Sequence, residues 1–309
     1  MVEAHERERK QRMEKQRISI DDILSNENMN RAYKQVIKNK GAAGIDGMEC
    51  NDLLSHLKVN GHQLRESIRN QSYKPMPVKR VEIPKDNGSK RKLGIPTVTD
   101  RMIQQAAAQV LTPIYERKFH TNSYGFRPGK SAQQAVLKAA EYMNEGYNWV
   151  VDIDLEKFFD TVEHDKMISI LNKEIKDGKT LSLIRKFLAS GVMIGEQMEE
   201  TEIGTPQGGN ISPLLANILL NEMDWELESR GLRFVRYADD CIILVRSEKA
   251  ATRVMKSVTK YIENVLRLRV NKDKSRIGRP TEIQYLGFAF YYQFQEKKYR
   301  MKVPKKSLD

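Results

Sequence analysis

The segment RFVRYADDCIILV, residues 233–245, constrains the fold more than any other part of the sequence. Two apolar runs rich in β-branched residues flank a short polar centre, and this pattern predicts two buried strands joined by a tight turn. One aspartate at such a turn is expected, because Asp tolerates turn geometry and hydrogen-bonds to its own backbone. This turn carries two, Asp239 and Asp240. The second carboxylate marks the tip of the hairpin as a candidate site for chemistry.

A second acidic segment, WVVDIDLEKFFD at residues 149–160, predicts another buried strand. The strand period of two residues places Asp152 and Asp154 on the same face. The structural alternative is a sheet edge with capping acids that face solvent. If this strand lies beside the hairpin, Asp154 joins Asp239 and Asp240, and carboxylates that close do not all stay ionised without a cation.

The cation that suits such a cluster is Mg²⁺, because it prefers hard oxygen ligands and leaves room for water and substrate phosphates. Two such ions, roughly 4 Å apart, clamp the attacking and leaving oxygens of an in-line displacement. The acids therefore predict two Mg²⁺ ions, with Mn²⁺ as a substitute, and nucleotidyl transfer as the reaction. That reaction also needs positive charge near the leaving pyrophosphate.

A basic segment offers this positive charge. The sequence VKRVEIPKDNGSKRKLGIP, residues 78–96, predicts a hairpin at Val81–Ile95 with its turn at Asp-Asn-Gly, residues 86–88. Lys85 and Arg91, on the two arms, are the leading candidates for contact with a triphosphate. The alternative is a solvated basic hairpin that binds no ligand.

The overall charge favours a polyanionic partner. The 309-residue chain carries 53 Lys and Arg against 41 Asp and Glu, and much of the excess lies in residues 74–101 and 267–306. The two cysteines are far apart and the five histidines form no cluster, so neither a disulfide framework nor a zinc site is predicted. The N-terminal residues form no apolar core and no apolar run has the length of a membrane span, so a soluble, cytoplasmic protein is expected.

Helices and short strands alternate along the chain, which predicts an α+β fold with a sheet covered by helices rather than a doubly wound parallel sheet. The glycine-rich segment GAAGIDG, residues 41–47, predicts an ordinary flexible loop, because it lacks the lysine and spacing of a phosphate-binding P-loop. Helices are predicted near residues 20–38, 100–115, 131–144, 165–175, 181–189, 213–230 and 247–266, and further strands near residues 149–155 and 282–290.

Six motifs in order give the chain a resemblance to the reverse transcriptases of the group II intron-encoded (maturase) family. The resemblance extends from about residue 20 to residue 295. Its carriers are YADD at residues 237–240, Asp154 followed by Phe158 and Phe159, SYGFRPGKSAQQA at residues 123–135, TPQGGNISPLLANILLNEMD at residues 205–224, NKDKS at residues 271–275 and YLGF at residues 285–288.

The resemblance implies the fingers and palm of a right-hand polymerase. Residues 20–148 would form the fingers with an N-terminal extension, and residues 149–309 the palm, with part of residues 178–212 returning to the fingers. Residues 1–19 would be a helix or tail of mixed charge. The family's helical thumb (maturase) domain and its endonuclease domain are not expected within these 309 residues.

The resemblance also implies roles for individual residues. Metal ligands would be the carboxylates of Asp154, Asp239 and Asp240 and the backbone carbonyl of Leu155. Phe159, five residues after Asp154, would lie under the sugar and reject a ribose 2′-hydroxyl; without that spacing, a core aromatic would be the favoured interpretation. The nucleotide would contact Lys85, Arg91, Gln207, Gly208 and Lys274 or Lys272, and the template or primer would contact Arg127, Tyr237, Leu286 and Gly287.

The implied function is an RNA-directed DNA polymerase of a group II intron, with intron RNA, an RNA template, a DNA primer and dNTPs as partners and with roles in splicing and retrohoming. A homodimer is compatible with this function. The alternative is a maturase module that binds intron RNA and assists splicing without polymerase chemistry. An RNA-templated RNA polymerase is disfavoured, because Phe159 leaves little room for a 2′-hydroxyl. Asp152 is assigned a structural role, and Asp160 a place near a helix start.

Overall fold

The computed structural model describes residues 18–84, 90–195, 197–199, 203–204 and 208–304. Its strands are β1 (Val78–Pro84), β2 (Lys90–Ile95), β3 (Trp149–Ile153), β4 (Val192–Ile194), β5 (Gln197–Glu199), β6 (Arg233–Tyr237), β7 (Asp240–Val245), β8 (Arg276–Gly278), β9 (Gln284–Tyr285), β10 (Phe288–Gln293) and β11 (Lys298–Lys302). Its helices are α1 (Ile20–Leu24), α2 (Asn26–Asn39), α3 (Leu53–Arg69), α4 (Val98–Tyr115), α5 (Ala132–Asn144), α6 (Phe158–Thr161), α7 (His164–Leu171), α8 (Gly178–Leu188), α9 (Ser212–Ser229) and α10 (Glu248–Asn264). Short 3₁₀ turns lie at Cys50–Asp52 and Pro280–Glu282.

The chain forms two compact units. Unit 1 comprises Met1–Tyr115 and Glu163–Ser212, and unit 2 comprises Glu116–Val162 and Pro213–Asp309. Residues 116–148 therefore cluster with the strands of unit 2, and the whole of residues 163–212 clusters with the N-terminal helices. The assignment of fingers and palm to these units stays a prediction. No helix among the described residues combines the length and apolarity that a membrane span requires.

The first predicted helix, residues 20–38, is wrong as a single helix, because the chain breaks at Ser25. This residue has φ −57° and ψ 146°, and its hydroxyl accepts a hydrogen bond from the Asn28 backbone N–H. A serine that caps the following turn competes with continuation of the preceding helix. The side chain of Asn28 then donates to the carbonyl of Ala106 at 2.9 Å, which ties α2 to α4.

The glycine-rich loop of residues 41–47 packs against the N-terminal end of α4 and is not a loose connection. A Cβ atom at Gly44 would lie 2.7 Å from the Thr97 Cα atom, so this approach requires glycine. The Arg101 guanidinium donates to the carbonyl of Ala42 at 2.7 Å. The segment therefore has a packing role, and the structure gives no support to a phosphate cradle.

The sheet of unit 1 has the order β2-β1-β4-β5. Strands β1 and β2 form the predicted antiparallel hairpin, in register from Lys79 opposite Ile95 to Pro84 opposite Lys90. The predicted turn of this hairpin and Lys85 lie outside the described residues. Strand β4 joins β1 in parallel and pairs with β5 in a short hairpin that the sequence pattern did not reveal.

The sheet of unit 2 has the order β6-β7-β3-β8, with every neighbouring pair antiparallel. On one face, α5 packs on β6 and β7, and the small sheet β11-β10-β9 adjoins α5. Helix α10 packs against β3, β7 and β8. The buried cluster between α5 and the strands includes Val136, Met143, Val150, Ile242 and Leu244. This arrangement confirms the predicted α+β class and the helix-covered sheet.

Candidate active site

The YADD segment forms a two-residue hairpin turn. Tyr237 pairs with Asp240 at the end of β6 and β7, and Ala238 and Asp239 form the turn between them. Ala238 has φ +55°, a left-handed conformation that glycine usually supplies in such turns, and its side chain is buried. A non-glycine residue held in this conformation is a strained feature of the kind that concentrates at functional sites.

The strand register brings Asp154 and Asp240 together, as the sequence predicted. Ile153 pairs with Cys241, and continuing that register by one residue places Asp154 opposite Asp240. On the other side of β3, Asp152 pairs with Arg276 of β8, and Lys274 lies in the turn of residues 272–274 that precedes this strand. The Lys274 ammonium lies 4.0 Å from Oδ2 of Asp154. Because paired residues share a face, Asp240 and Asp154 form an acid row, and Lys274 lies beside Asp154 at one end of it.

The acids of this row disturb each other's ionisation. Desolvation, followed by the charges of Asp239, Asp152 and Asp154, raises the pKa of Asp240 to about 6, although its side chain reaches solvent. Desolvation also raises the pKa of Asp152, against the opposing effect of Arg276 at 3.4 Å. A cation bound among clustered carboxylates would relieve the repulsion between their negative charges and favour their ionised form.

The chemistry of these donors fits Mg²⁺, since every candidate ligand is a hard oxygen. Antiparallel bonds from Asn271 N–H to the Asp154 carbonyl (2.9 Å) and from Glu156 N–H to the Arg269 carbonyl (2.8 Å) flank Leu155. This pattern directs the Leu155 carbonyl away from residues 269–271. In the described part of the chain, no three His, Cys, Asp or Glu side chains lie close enough together to hold a metal ion. The metal assignment stays a prediction.

Phe159 follows Asp154 on the short helix α6. Lys157 begins this helix with φ +45°, and Phe158 is buried while Phe159 is only partly buried. The two rings meet edge to face with centroids 5.1 Å apart. Phe158 is therefore the core aromatic of the pair, and Phe159 remains partly exposed to solvent.

Two of the predicted nucleotide-binding residues, Arg91 and Gly208, lie on or beside β2 in unit 1. Arg91 occupies the exposed face of this strand. Gly208 has φ +130°, and a Cβ atom there would lie 2.4 Å from the Gly94 carbonyl oxygen, so the segment passes directly over the strand. Asn210 donates to Gln105 of α4 at 3.1 Å and holds the same segment from its other end. Gln207 lies outside the described residues.

The side chain of Arg127 is engaged in internal bonds. The side chain is 7% exposed, and its guanidinium pairs with Glu116 at 3.0 Å and donates to the carbonyls of His120 and Ser123, each at 2.7 Å. In this conformation Arg127 orders the loop of residues 120–127. Its contact with a template stays a prediction.

The YLGF segment makes a second tight hairpin, in which Tyr285 pairs with Phe288. Leu286 (φ +51°) and Gly287 (φ +78°) form the turn, as in the type I′ hairpins that suit twisted strands. The Tyr285 hydroxyl donates to the Val235 carbonyl of β6 at 3.2 Å. The two turn residues predicted to contact the primer are thus fixed to the strand that carries the YADD turn.

Sequence reasoning missed a buried arginine one residue before the YADD segment. The Arg236 side chain has no exposed surface, and its guanidinium forms a two-point ion pair with Asp224 at 2.7 and 2.6 Å. Burial would lower the pKa of Arg236, but the Asp224 carboxylate outweighs this effect and raises it. The signal was present in the alternation of the strand, since Arg236 falls on a face whose other residues are apolar.

Comparisons with known proteins identify the family to which the chain is similar. The family model of reverse transcriptase (RNA-dependent DNA polymerase) matches residues 83–290. Protein YkfC of Escherichia coli is 33% identical, and the alignment covers 84% of this chain and 77% of YkfC. The group II intron-encoded protein LtrA of Lactococcus lactis is 32% identical, with 83% of this chain and 54% of LtrA covered.

A solved structure shows the same likeness. A chain of a partial Cas6-RT-Cas1–Cas2 complex is 27% identical with a TM-score of 0.50, over 80% of this chain and 43% of that chain. The present chain thus spans about half the length of LtrA and less than half of the Cas6-RT-Cas1 chain. The chain belongs to the reverse transcriptase (RNA-dependent DNA polymerase) family, and its predicted resemblance to the group II intron-encoded, maturase-type members is confirmed.

Proposed function

We propose that this chain is an RNA-directed DNA polymerase. The reaction is attack of a primer 3′-hydroxyl on the α-phosphorus of a dNTP, with pyrophosphate leaving. The observation that carries the proposal is the convergence of Asp154 with Asp240 across β3 and β7, beside a turn that also bears Asp239. A protein that only binds RNA gains nothing from acids gathered where an anionic strand approaches.

The three carboxylates and the Leu155 carbonyl would hold two Mg²⁺ ions, or Mn²⁺ in their place. When bound, such ions neutralise charge on the phosphates and stabilise the attacking and leaving oxygens. The raised pKa of Asp240 supports this assignment, because a cation would restore its ionised form. Lys274, whose ammonium lies 4.0 Å from the Asp154 carboxylate, would exchange that partner for the phosphates of the nucleotide.

Residues 20–148 and part of residues 178–212 would serve as the fingers, and the rest of residues 149–309 as the palm. Lys85 and Arg91 would bind the triphosphate, and Gln207 and Gly208 would line the nascent base pair. The glycine requirement at Gly208 supports this role, since a backbone without a side chain allows close approach of a ligand. Phe159 would reject a ribose 2′-hydroxyl with the exposed part of its ring.

The nucleic-acid partners would be an RNA template and a DNA primer, with intron RNA as the natural ligand and splicing and retrohoming as the context. The outer face of β11 carries Lys298, Arg300 and Lys302, all exposed, and would contact a phosphate backbone. Tyr237, Leu286 and Gly287 would contact the primer. Buried free thiols at Cys50 and Cys241 support a reducing, cytoplasmic setting.

The second candidate function is that of a maturase, which binds intron RNA and assists splicing without polymerase chemistry. The likeness to the group II intron-encoded protein LtrA favours it, and the two functions are compatible in one chain. RNA affinity would then depend on the basic residues and fall steeply with salt, whereas the carboxylates would be dispensable.

The test is extension of a DNA primer on an RNA template with Mg²⁺, run beside measurement of RNA affinity. The wild type should extend the primer, and Asp239→Ala should abolish extension without weakening RNA binding. Asp165→Ala, which removes a carboxylate that is 84% exposed in unit 1, is the matched control and should extend normally. An Asp239→Ala protein that extends as the wild type does would refute the assignment. RNA binding by a wild type that never extends would favour the maturase.

A further inference from the structure

We propose that Arg236 is a positioning residue. It holds the backbone of the Ala238–Asp239 turn from the face opposite Asp240 and so fixes where Asp239 and Asp240 lie. The catalytic consequence of this role rests on the proposed polymerase function. The positioning itself does not, because it concerns the order of the turn in the protein alone.

All five N–H groups of the Arg236 guanidinium have acceptors. Nε and one N–H of NH2 bind the Asp224 carboxylate at 2.7 and 2.6 Å. The other N–H of NH2 donates to the Ser123 hydroxyl at 2.8 Å. The two N–H groups of NH1 donate to the Asn217 side-chain oxygen at 2.9 Å and to the Ala238 backbone carbonyl at 2.8 Å. The last bond is the direct link to the catalytic turn.

The partners of this guanidinium also brace the turn from a second side. Asn217 donates to the Gly125 carbonyl at 2.7 Å. Gly125 in turn lies against the turn, since a Cβ atom there would be 2.2 Å from the Ala238 nitrogen. Backbone bonds from Arg236 N–H to Asn122 (2.9 Å) and from Tyr124 N–H to Arg236 (2.8 Å) fasten the same loop to β6. The strained Ala238 is therefore held between two fixed neighbours.

The Arg236 guanidinium and the candidate catalytic carboxylates lie on different faces of the hairpin. Arg236 pairs with Cys241, whereas Tyr237 pairs with Asp240, so the guanidinium and the carboxylate row occupy opposite faces of the hairpin. Arginine suits the supporting face because its planar fork satisfies several acceptors at fixed angles, which a lysine ammonium does not reproduce.

A purely structural role for Arg236 would predict an effect on stability alone, without a selective effect on the turn. A buried ion pair adds little net stability over apolar residues of similar volume, so stability alone does not require Arg236 and Asp224. The double substitution Arg236→Met with Asp224→Leu removes both charges and leaves no buried ion unpaired. It deletes the donor to Ala238 while preserving the volume of the core, and so separates positioning from folding.

The experiment combines thermal unfolding, hydrogen exchange of peptides that cover residues 237–240, and primer extension, all on the full chain. The double variant should fold but unfold at a somewhat lower temperature, because the buried acceptors on Asn217 and Ala238 lose their donor, and its turn amides should exchange about tenfold faster or more. Its kcat for extension should fall by about the same factor, with little change in KM for the template. Ile184→Ala, a core substitution on α8 in unit 1, should lower the unfolding temperature without these effects.

Arg236→Lys is the second variant and keeps a charge beside Asp224 if the double variant fails to fold. It loses the planar fork, and its turn amides should exchange faster than those of the wild type. Wild-type exchange at residues 237–240 in a folded Arg236→Lys or double variant would overturn the proposal. A wild type that extends no primer, with faster exchange in the variants, would refute the polymerase function and leave the positioning role supported.

Discussion

The Lys274 ammonium lies 4.0 Å from Oδ2 of Asp154, opposite the strand that carries Asp240. Both members of the pair are partly solvent-exposed, at 61% and 35%, so the contact contributes about 0–1 kcal/mol to stability at most. Lys274 thus offsets part of the negative charge of the acid row and contributes little to the stability of the fold. We propose that Lys274 acts in the reaction, where an ammonium near the phosphates would stabilise the leaving group.

Lys274→Met should therefore leave the unfolding temperature nearly unchanged while raising KM for the dNTP about tenfold or more. Thermal unfolding and steady-state extension across a range of dNTP concentrations measure the two effects. Lys256→Met, on the solvent face of α10, is the control and should alter neither. A normal KM in the Lys274→Met variant would exclude contact with the nucleotide.

Asp240→Asn should stabilise the metal-free protein near neutral pH and have less effect in acid. Desolvation and the negative charge of Asp239 raise the pKa of Asp240 to about 6, from an ordinary value of 3.8. The folded state therefore holds this proton more tightly than the unfolded chain does. The favourable contribution of Asp240 to the free energy of unfolding is fully present below its pKa in the unfolded chain. It is lost as pH rises through about 6.

The shift would correspond to about 3 kcal/mol in a group shielded from water, and the exposure of Asp240 reduces it to the order of 1 kcal/mol. Urea unfolding without divalent metal, at about pH 4 and about pH 7.5, measures the gain. Asp165→Asn provides an exposed carboxylate for comparison. An equal gain at both pH values would contradict the raised pKa of Asp240.

The sequence predicts a site residue well when the pattern around it is local in sequence, and poorly when its partners come from distant segments. The apolar pattern predicted each of the two strands, but their adjacency entered only as a condition and through the family resemblance, because pairing between strands distant in sequence is not a local property. The break at Ser25 was missed, since its capping bond competes with a helix of similar propensity. Arg236 was missed because a strand arginine usually faces solvent. Its acceptors, Asn217 and Asp224, come from one helix face seven residues apart, and only the tertiary fold reveals their use.

Phe159→Ala should raise incorporation of ribonucleotides relative to deoxyribonucleotides by about tenfold or more, because it removes the exposed ring that would meet a 2′-hydroxyl. Competition between the two nucleotides on one template measures the ratio. Phe158→Leu perturbs the buried partner ring and should lower stability without changing the ratio. Unchanged sugar selectivity in Phe159→Ala would reject the steric role.

Gly208→Ala should impair nucleotide use more than an ordinary glycine substitution does. Its new methyl group would lie 2.4 Å from the Gly94 carbonyl oxygen, so the segment must shift away from β2. Gly231→Ala also has positive φ but open space around the site, and it isolates the backbone cost of about 1 kcal/mol. A higher KM for dNTP in the first variant alone is expected. Equal kinetics in the two variants would remove Gly208 from the nucleotide site.

Single-nucleotide incorporation by Asp154→Asn tests the central claim most directly. The substitution keeps the size of the side chain and removes the charge that the strand register brings opposite Asp240. On an RNA template with a DNA primer and Mg²⁺, the wild type should add one matched dNTP and release pyrophosphate. Asp154→Asn should bind the same duplex but incorporate at least about 10²-fold more slowly. Incorporation at the wild-type rate by Asp154→Asn would contradict the account.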